Sequence, residues 1–324
     1  MTDYLGTRAV PREDLGEALL EYDGNARDFI GTQILPEFKV AEQAAKFSKH
    51  TRQSILQNPE TARAARGNYN RILTALKDDS YACENHGLEG LIDDSERLLY
   101  QSDFDAEMET TMVVERAVLL GLEMRIKDLV FDTNTWTGSD LFTDNSGSPW
   151  STAATNVIAQ VQAGKEKVRR NGGGKADSLI VGEESLQNLL KNEALIARFP
   201  GIEVLTEEIL RRNIAAIFGL KKLIVGAEVY DSSPLNQSES HSATVTDVWP
   251  KTYAMIARTA DNGAPLKTPC LGRTFIWEAY AAALWKVETY REEQAESDVV
   301  RVKNFVDEKI FDPAFGHLLQ IETA

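Results

Sequence analysis

The sequence predicts an α+β fold, and three observations carry that prediction. A long amphipathic helix pattern runs over about 103–131, short helices and apolar strands alternate through the middle of the chain, and strands dominate from Thr252 onward. The bulk properties agree. Of 324 residues, 43% are hydrophobic and 26% charged, as in folded globular chains, and the length allows one domain or two. No stretch approaches the roughly 18 to 20 apolar residues of a membrane helix. The start, Met1-Thr2-Asp3-Tyr4, lacks a basic-then-apolar signal pattern, so a cytosolic chain with no membrane partner is expected. Cys83 and Cys270 are far apart and form no CxxC pair, which indicates neither a disulfide framework nor a zinc site. A net charge of −15, from 35 Lys and Arg against 50 Asp and Glu, repels phosphate from most of the surface and disfavours a DNA-reading role.

The N-terminal stretch Ala9 to Asn25 mixes Pro11, Gly16 and Gly24 with scattered apolar residues and reads as an arm without its own core. From Phe29 to Ile55 the pattern turns extended, and the alternation in Ile34 to Val40 around Pro36 suits an edge or arm strand, because proline removes a ladder donor. Between Thr61 and Lys77 stand Arg63, Arg66, Arg71 and Lys77 with no acid. From Leu88 to Glu115 nine acids face a single base, Arg97. Two readings stay open: a pair of solvated surfaces, or a basic loop of one subunit resting on an acidic face of its neighbour.

The helix of about 103–131 opens with Ser102 and Asp105 in a capping-box-like arrangement and with acids crowding the first turns, where the helix dipole favours them. Phe104, Met108, Met112, Ala117, Leu120, Met124 and Leu129 recur at three- to five-residue steps. At 1.5 Å per residue it spans roughly 40 Å, the length of a spine. A polar loop, Asp132 to Ser151, carries Trp136 and Trp150 and reads as a surface excursion. A second helix is predicted over about 154–169, ending at Asn171-Gly172-Gly173-Gly174. Strand Ser178 to Val181, a helix over 184–198, a helix from Thr206 to Phe218 closed by Gly219, and strand Leu223 to Val225 then form a compact α/β unit. Beyond it, Tyr253 to Ala257, Thr274 to Trp277, Leu284 to Val287 and about 298–306 read as strands of an antiparallel ribbon. In the last of these, Val300, Val302 and Val306 share one face.

Motifs that carry chemistry fail on inspection. Asn171-Gly172-Gly173-Gly174-Lys175 resembles a phosphate loop in composition only, since a helix precedes it, a strand follows, and Ala176 stands where a magnesium-binding hydroxyl belongs. His50, His86, His241 and His317 form no ligand pair and read as surface or packed residues. Asp93-Asp94 suits a turn or a helix start better than a cation site. There is no GxSxG elbow, and neither cysteine has a neighbouring base. No catalytic, metal or cofactor-binding residue is predicted, and no cofactor.

A string of short motifs nevertheless has a recognisable order. Ala176 to Gly182 followed by Ser185 to Leu189, then Ile214 to Ala227, then Tyr290 to Gln294 with Ser297 to Val302, resembles the major capsid proteins of tailed phages. More loosely, so do Gly31 to His50, and Asp78 to Glu84 with Leu91 to Asp94. That resemblance covers about residues 29–324 and implies the Hong-Kong-97-type capsid fold: N-terminal arm 1–45, extended loop 46–82, peripheral domain 83–152 with its spine helix, apical domain 153–265, return strands 266–310 and C-terminal segment 311–324. It also implies an icosahedral shell of pentamers and hexamers around double-stranded DNA. The expected partners are the chain itself, portal and scaffolding or decoration proteins, and DNA held without sequence-specific contact; the expected place is the virion, after assembly in the host cytoplasm. Arg63, Arg66, Arg71 and Lys77 fall in the loop and become candidate inter-subunit contacts. The alternatives are an encapsulin-like nanocompartment shell and, from another class, a soluble α/β enzyme whose site is assembled from distant residues.

Overall fold

The structure is a computed structural model that describes residues 10–11, 29–63, 65–100, 106–198, 207–233, 244–280 and 284–323. Strand β1 is Val10–Pro11. A single helical turn, α1 (Gly31–Ile34), precedes β2 (Glu37–Val40), so extended backbone begins only after Pro36. Strands β3 (Ala44–His50) and β4 (Leu76–Ala82) pair antiparallel, and between them lies short helix α2 (Arg52–Leu56), capped by the Thr51 side chain. Strand β5 (Glu84–Asp93) leads into α3 (Asp94–Tyr100) and the long helix α4 (Ala106–Val130). The predicted cap residues Ser102 and Asp105 lie outside the described residues.

After β6 (Phe142–Asp144) comes α5 (Val157–Gly172). It starts later than predicted because Asn156, not Ala154, supplies the capping oxygen, to Ala159 N–H. It ends at Gly173, whose φ of 69° is the left-handed conformation that favours glycine. Strand β7 (Ser178–Gly182) is followed by α6 (Glu183–Leu190) and α7 (Glu193–Ile196). This corrects the single helix predicted over 184–198. The fully buried Asn192 breaks it: its Oδ1 accepts from Ala194 and Leu195 N–H to start α7, and its Nδ2 donates to the carbonyls of Ala153 and Thr155. Helix α8 (Glu207–Phe218) ends at Gly219, again at positive φ; its predicted cap, Thr206, lies outside the described residues. Then follow β8 (Lys222–Gly226), β9 (Val229–Asp231), β10 (Val245–Asp247), β11 (Tyr253–Ala257), β12 (Gly272–Trp277), β13 (Lys286–Glu292), β14 (Ser297–Ile310) and β15 (Gly316–Gln320).

Two sheets organise the molecule. In the first, β14 is the axis: Val302 faces both Val287 and Leu88, and Val306 faces both Ile276 and Glu84, so β12 and β13 lie end to end along one edge and β5 along the other. Strand β1 extends the β13 side, and β2 pairs parallel with β12 at the sheet's edge, where Pro36 is tolerated. The second sheet has the order β6-β15-β11-β7-β8. It is apolar on both faces: Ile180, Ile224, Met255 and Leu318 point to one core, while Leu179, Val181, Val225, Ile256 and Leu319 point to another formed with α5, α6 and α8. Burial on both sides explains why its strands read as continuous apolar runs.

Helix α4 joins the sheets. Its N-terminal half packs Val114 and Val118 on Ile92, Val287, Val300 and Val302, and its C-terminal half carries Leu122, Ile126 and Val130 into the core shared with the second sheet. The 132–151 excursion runs over the surface, as its sequence suggests, but is anchored by two buried side chains that the sequence reading did not foresee. Trp136 and Trp150 are each 1% exposed; Trp136 presses on Gly316, and Trp150 Nε1 donates to Gln160 Oε1 at 2.7 Å. A polar composition hid two large apolar anchors.

Candidate assembly interface

The β3–β4 ribbon is rooted firmly and ends bare. At its base Tyr81 stacks on Phe275 at 4.5 Å between ring centroids, and Phe47 packs beside Phe275 and Phe311. Asp79 binds Lys49 at 2.9 Å and Lys309 at 2.6 Å. Burial opposes ionisation of Asp79, but the two ammonium groups and Ser80 N–H outweigh it and hold the carboxyl down at about 2. Further out, Arg52 donates to the Asn171 carbonyl and Leu56 rests against Gly173. Beyond that point the ribbon displays Tyr69 (72% exposed), Ile72 (56%), Leu73 (84%) and Leu76 (59%).

The sequence-predicted residues Arg63, Arg66, Arg71 and Lys77 all lie on this element, and all are exposed. Arg63 sits over the Tyr69 ring at 4.6 Å, and Arg66 holds a positive φ of 68°. Among the described residues none of the four is in an ion pair.

The acidic stretch behaves differently. Glu89 binds Arg301 and accepts from Tyr290 Oη at 3.2 Å, Asp94 takes both terminal nitrogens of Arg291 at 2.6 and 2.5 Å, and Arg97 joins Glu107 to Asp298 at 2.6 Å each. The Arg291 hydrogen bonds keep Asp94 below the usual carboxylate range. Asp93 accepts from Ser95 N–H at 2.8 Å, the helix-start role read from its sequence. Glu115 is buried, and Asp103 and Asp105 lie outside the described residues. Much of the 88–115 charge is thus matched inside the subunit, whereas the basic ribbon is not.

One junction was missed from sequence. Glu123, 2% exposed, accepts from Ile30 N–H (3.0 Å), Gly31 N–H (2.7 Å) and Trp249 Nε1–H (2.6 Å). Burial pushes its carboxyl above the ordinary value, and the three donors pull back. It ties the entry of the chain body, α4 and the Trp249 segment to one point. The available signal was a carboxylate inside the buried stripe of a helix.

Among the described residues no group of three or more His, Cys, Asp or Glu side chains converges that could hold a metal ion, and no helix is long and apolar enough to cross a membrane. The two thiols are free and buried, and burial, with Asp307 and Glu308 nearby, pushes Cys83 up to about 11. His50 is exposed, His86 half-buried and His317 buried, while His241 lies outside the described residues.

No protein-family model matches the chain. The major capsid protein of Burkholderia phage BcepMu is 22% identical over 245 residues, 75% of each chain. A phage-related protein from Bordetella bronchiseptica RB50 superposes with a TM-score of 0.69 at 18% identity, over 97% of this chain and 98% of that one. The chain therefore has the Hong-Kong-97-type capsid fold and is similar in sequence to major capsid proteins of tailed phages. The capsid of the cyanophage P-SCSP1u shares that fold, with a TM-score of 0.56 at 8% identity over 100% of this chain and 91% of that one. Within this fold the basic, apolar β3–β4 ribbon remains exposed to solvent at its tip.

Proposed function

We propose that copies of this chain build the closed icosahedral shell, of pentamers and hexamers, that encloses the double-stranded DNA of a tailed phage. The β3–β4 ribbon carries the proposal. An isolated two-stranded ribbon is marginal in water, and this one displays large apolar side chains beside exposed cations that are in no ion pair among the described residues, so it gains its full set of contacts only on a neighbour. In this reading 1–45 is the arm, 46–82 the loop that crosses between subunits, 83–152 with 266–310 the peripheral domain, 153–265 the apical domain and 311–324 the C-terminal segment. Arg63, Arg66, Arg71 and Lys77 are inter-subunit contacts. Portal and scaffolding or decoration proteins are the further partners, and the charge of −15 suits a container that does not grip its DNA. The relationship to a phage capsid protein supports a genome container over a nanocompartment.

Electron microscopy of the purified protein tests this. Uniform closed particles or capsomers are expected, and a persistently monomeric chain would overturn the reading. Reversing Arg63, Arg66 and Arg71 to Glu is expected to block assembly while leaving the subunit folded by circular dichroism; normal particles from that variant would remove these residues from the interface.

A further inference from the structure

The shell reading leaves open where the basic ribbon lands. The acids of 88–115 that look most suitable in sequence are largely occupied by Arg97, Arg291 and Arg301 of the same chain. Glu109, one acid of that stretch in none of those pairs, stands near a further surface. Strands β9 and β10 form a second two-stranded ribbon, absent from the sequence reading, whose Val229 (39% exposed) and Val245 (65%) are left outside every core cluster. Its root is fixed to α4: Glu228, 5% exposed, binds Arg116 at 2.5 Å, and Tyr230 packs on the central core to which α4 also contributes. One turn from Arg116 on the same helix stands Val113 (65% exposed), and one turn further Glu109, also exposed. The Arg116–Glu228 pair joins the outer stripe of α4 to the start of the β9–β10 ribbon, and we treat the two as one surface. That surface carries three exposed valines, and it carries Glu109 and Asp247, neither of which is in an ion pair among the described residues.

We propose that this surface is the acceptor, on a second copy of the chain, for the basic tip of the β3–β4 ribbon. The inference rests on the shell reading and adds the partner surface to it. The fit is one of composition on both sides: exposed Tyr69, Ile72 and Leu73 with the exposed cations Arg63, Arg66 and Arg71 on the donor, exposed Val113, Val229 and Val245 with the exposed acids Glu109 and Asp247 on the acceptor. Apolar contact supplies the burial. The charges set register and turn away a misplaced neighbour of like sign.

A charge-swap cycle in the full-length chain tests it. Glu109→Lys with Asp247→Lys is expected to lower particle yield about tenfold, with the subunit still folded by circular dichroism. Adding Arg66→Glu and Arg71→Glu to that variant is expected to restore particles, which a merely structural role for either surface would not do. Wild-type yield from the lysine variant, or no recovery in the combined one, would overturn the proposal. Should the lysine variant fail to fold, Val245→Asp on the exposed strand is read the same way: loss of particles from a folded subunit supports the acceptor, and normal assembly rejects it. A wild-type chain that never assembles would defeat the shell reading itself, and this inference with it.

Discussion

At the scale of single residues, His317 shows how much of this protein is held by groups whose partners are remote in sequence. Its Nδ1–H donates to the Asp140 carbonyl at 3.0 Å, and its Nε2 accepts from Thr143 Oγ1 at 2.9 Å, with Lys167 Nζ donating to that hydroxyl at 2.7 Å. Burial, against the pull of the Asp140 carbonyl, lowers its pKa from 6.5 to about 4. The unfolded chain therefore takes up this proton first. Between those values it binds more protons than the folded protein, so stability is fully present above pH 6.5 and is lost as pH falls toward 4, by roughly 3 kcal/mol. Urea midpoints at a series of pH values should show that slope, and His317→Gln should lose it; an unchanged slope would place the titration elsewhere. Gly31 offers a second test. A Cβ there would lie 2.7 Å from both Glu123 Oε2 and Ile126 Cδ1, so Gly31→Ala should lower stability by about 1–3 kcal/mol in the same assay. Neither residue was legible in sequence, because Thr143 is 174 positions from His317 and Glu123 is 92 from Gly31.

Among the elements, those governed by local chemistry were legible. The spine helix announces itself through a sustained apolar stripe, and α5 and α8 end at glycines that the structure holds at positive φ. What failed is what depends on a distant partner: Asn192, taken as helical in sequence, breaks its helix to satisfy two carbonyls near residue 154, and two tryptophans turn a polar loop into an anchored one. The candidate site divides in the same way. Its cations were visible as a charge run, but the β9–β10 ribbon, with strands of three residues each, is too short to give a period. The base of the β3–β4 ribbon gives the prediction at this scale. Asp79→Ala removes the group that binds Lys49 and Lys309, so hydrogen exchange and protease cleavage should rise in 44–50 and 76–82. The global unfolding free energy should fall by no more than about 1 kcal/mol, since the aromatic contacts around Phe275 remain. A cooperative loss of the whole fold would show that the ribbon is not a separate unit.

For the whole molecule, the order of motifs reached the capsid fold while the sheet topology stayed out of reach, since β2–β12, β6–β15 and β7–β8 are parallel pairings of segments separated by whole elements. Net charge then sets a condition on assembly. Subunits of charge −15 repel one another at long range, while the proposed contact attracts at short range. Salt acts on the two unequally. Raising ionic strength from about 0.01 to 0.1 M shortens the Debye length from roughly 30 to 10 Å, which removes most of the general repulsion but leaves charges in contact largely coupled. Toward 1 M, at roughly 3 Å, those contacts weaken too, and only apolar burial remains. Light scattering of the purified chain should therefore show assembly rising and then falling across that range. In the Arg63, Arg66, Arg71→Glu variant the descending limb should vanish, because like charges at the contact gain from every increment of screening. A wild-type profile that only falls with salt would mean that local attraction outweighs the net charge throughout, and one that only rises would mean that the charged contact contributes nothing.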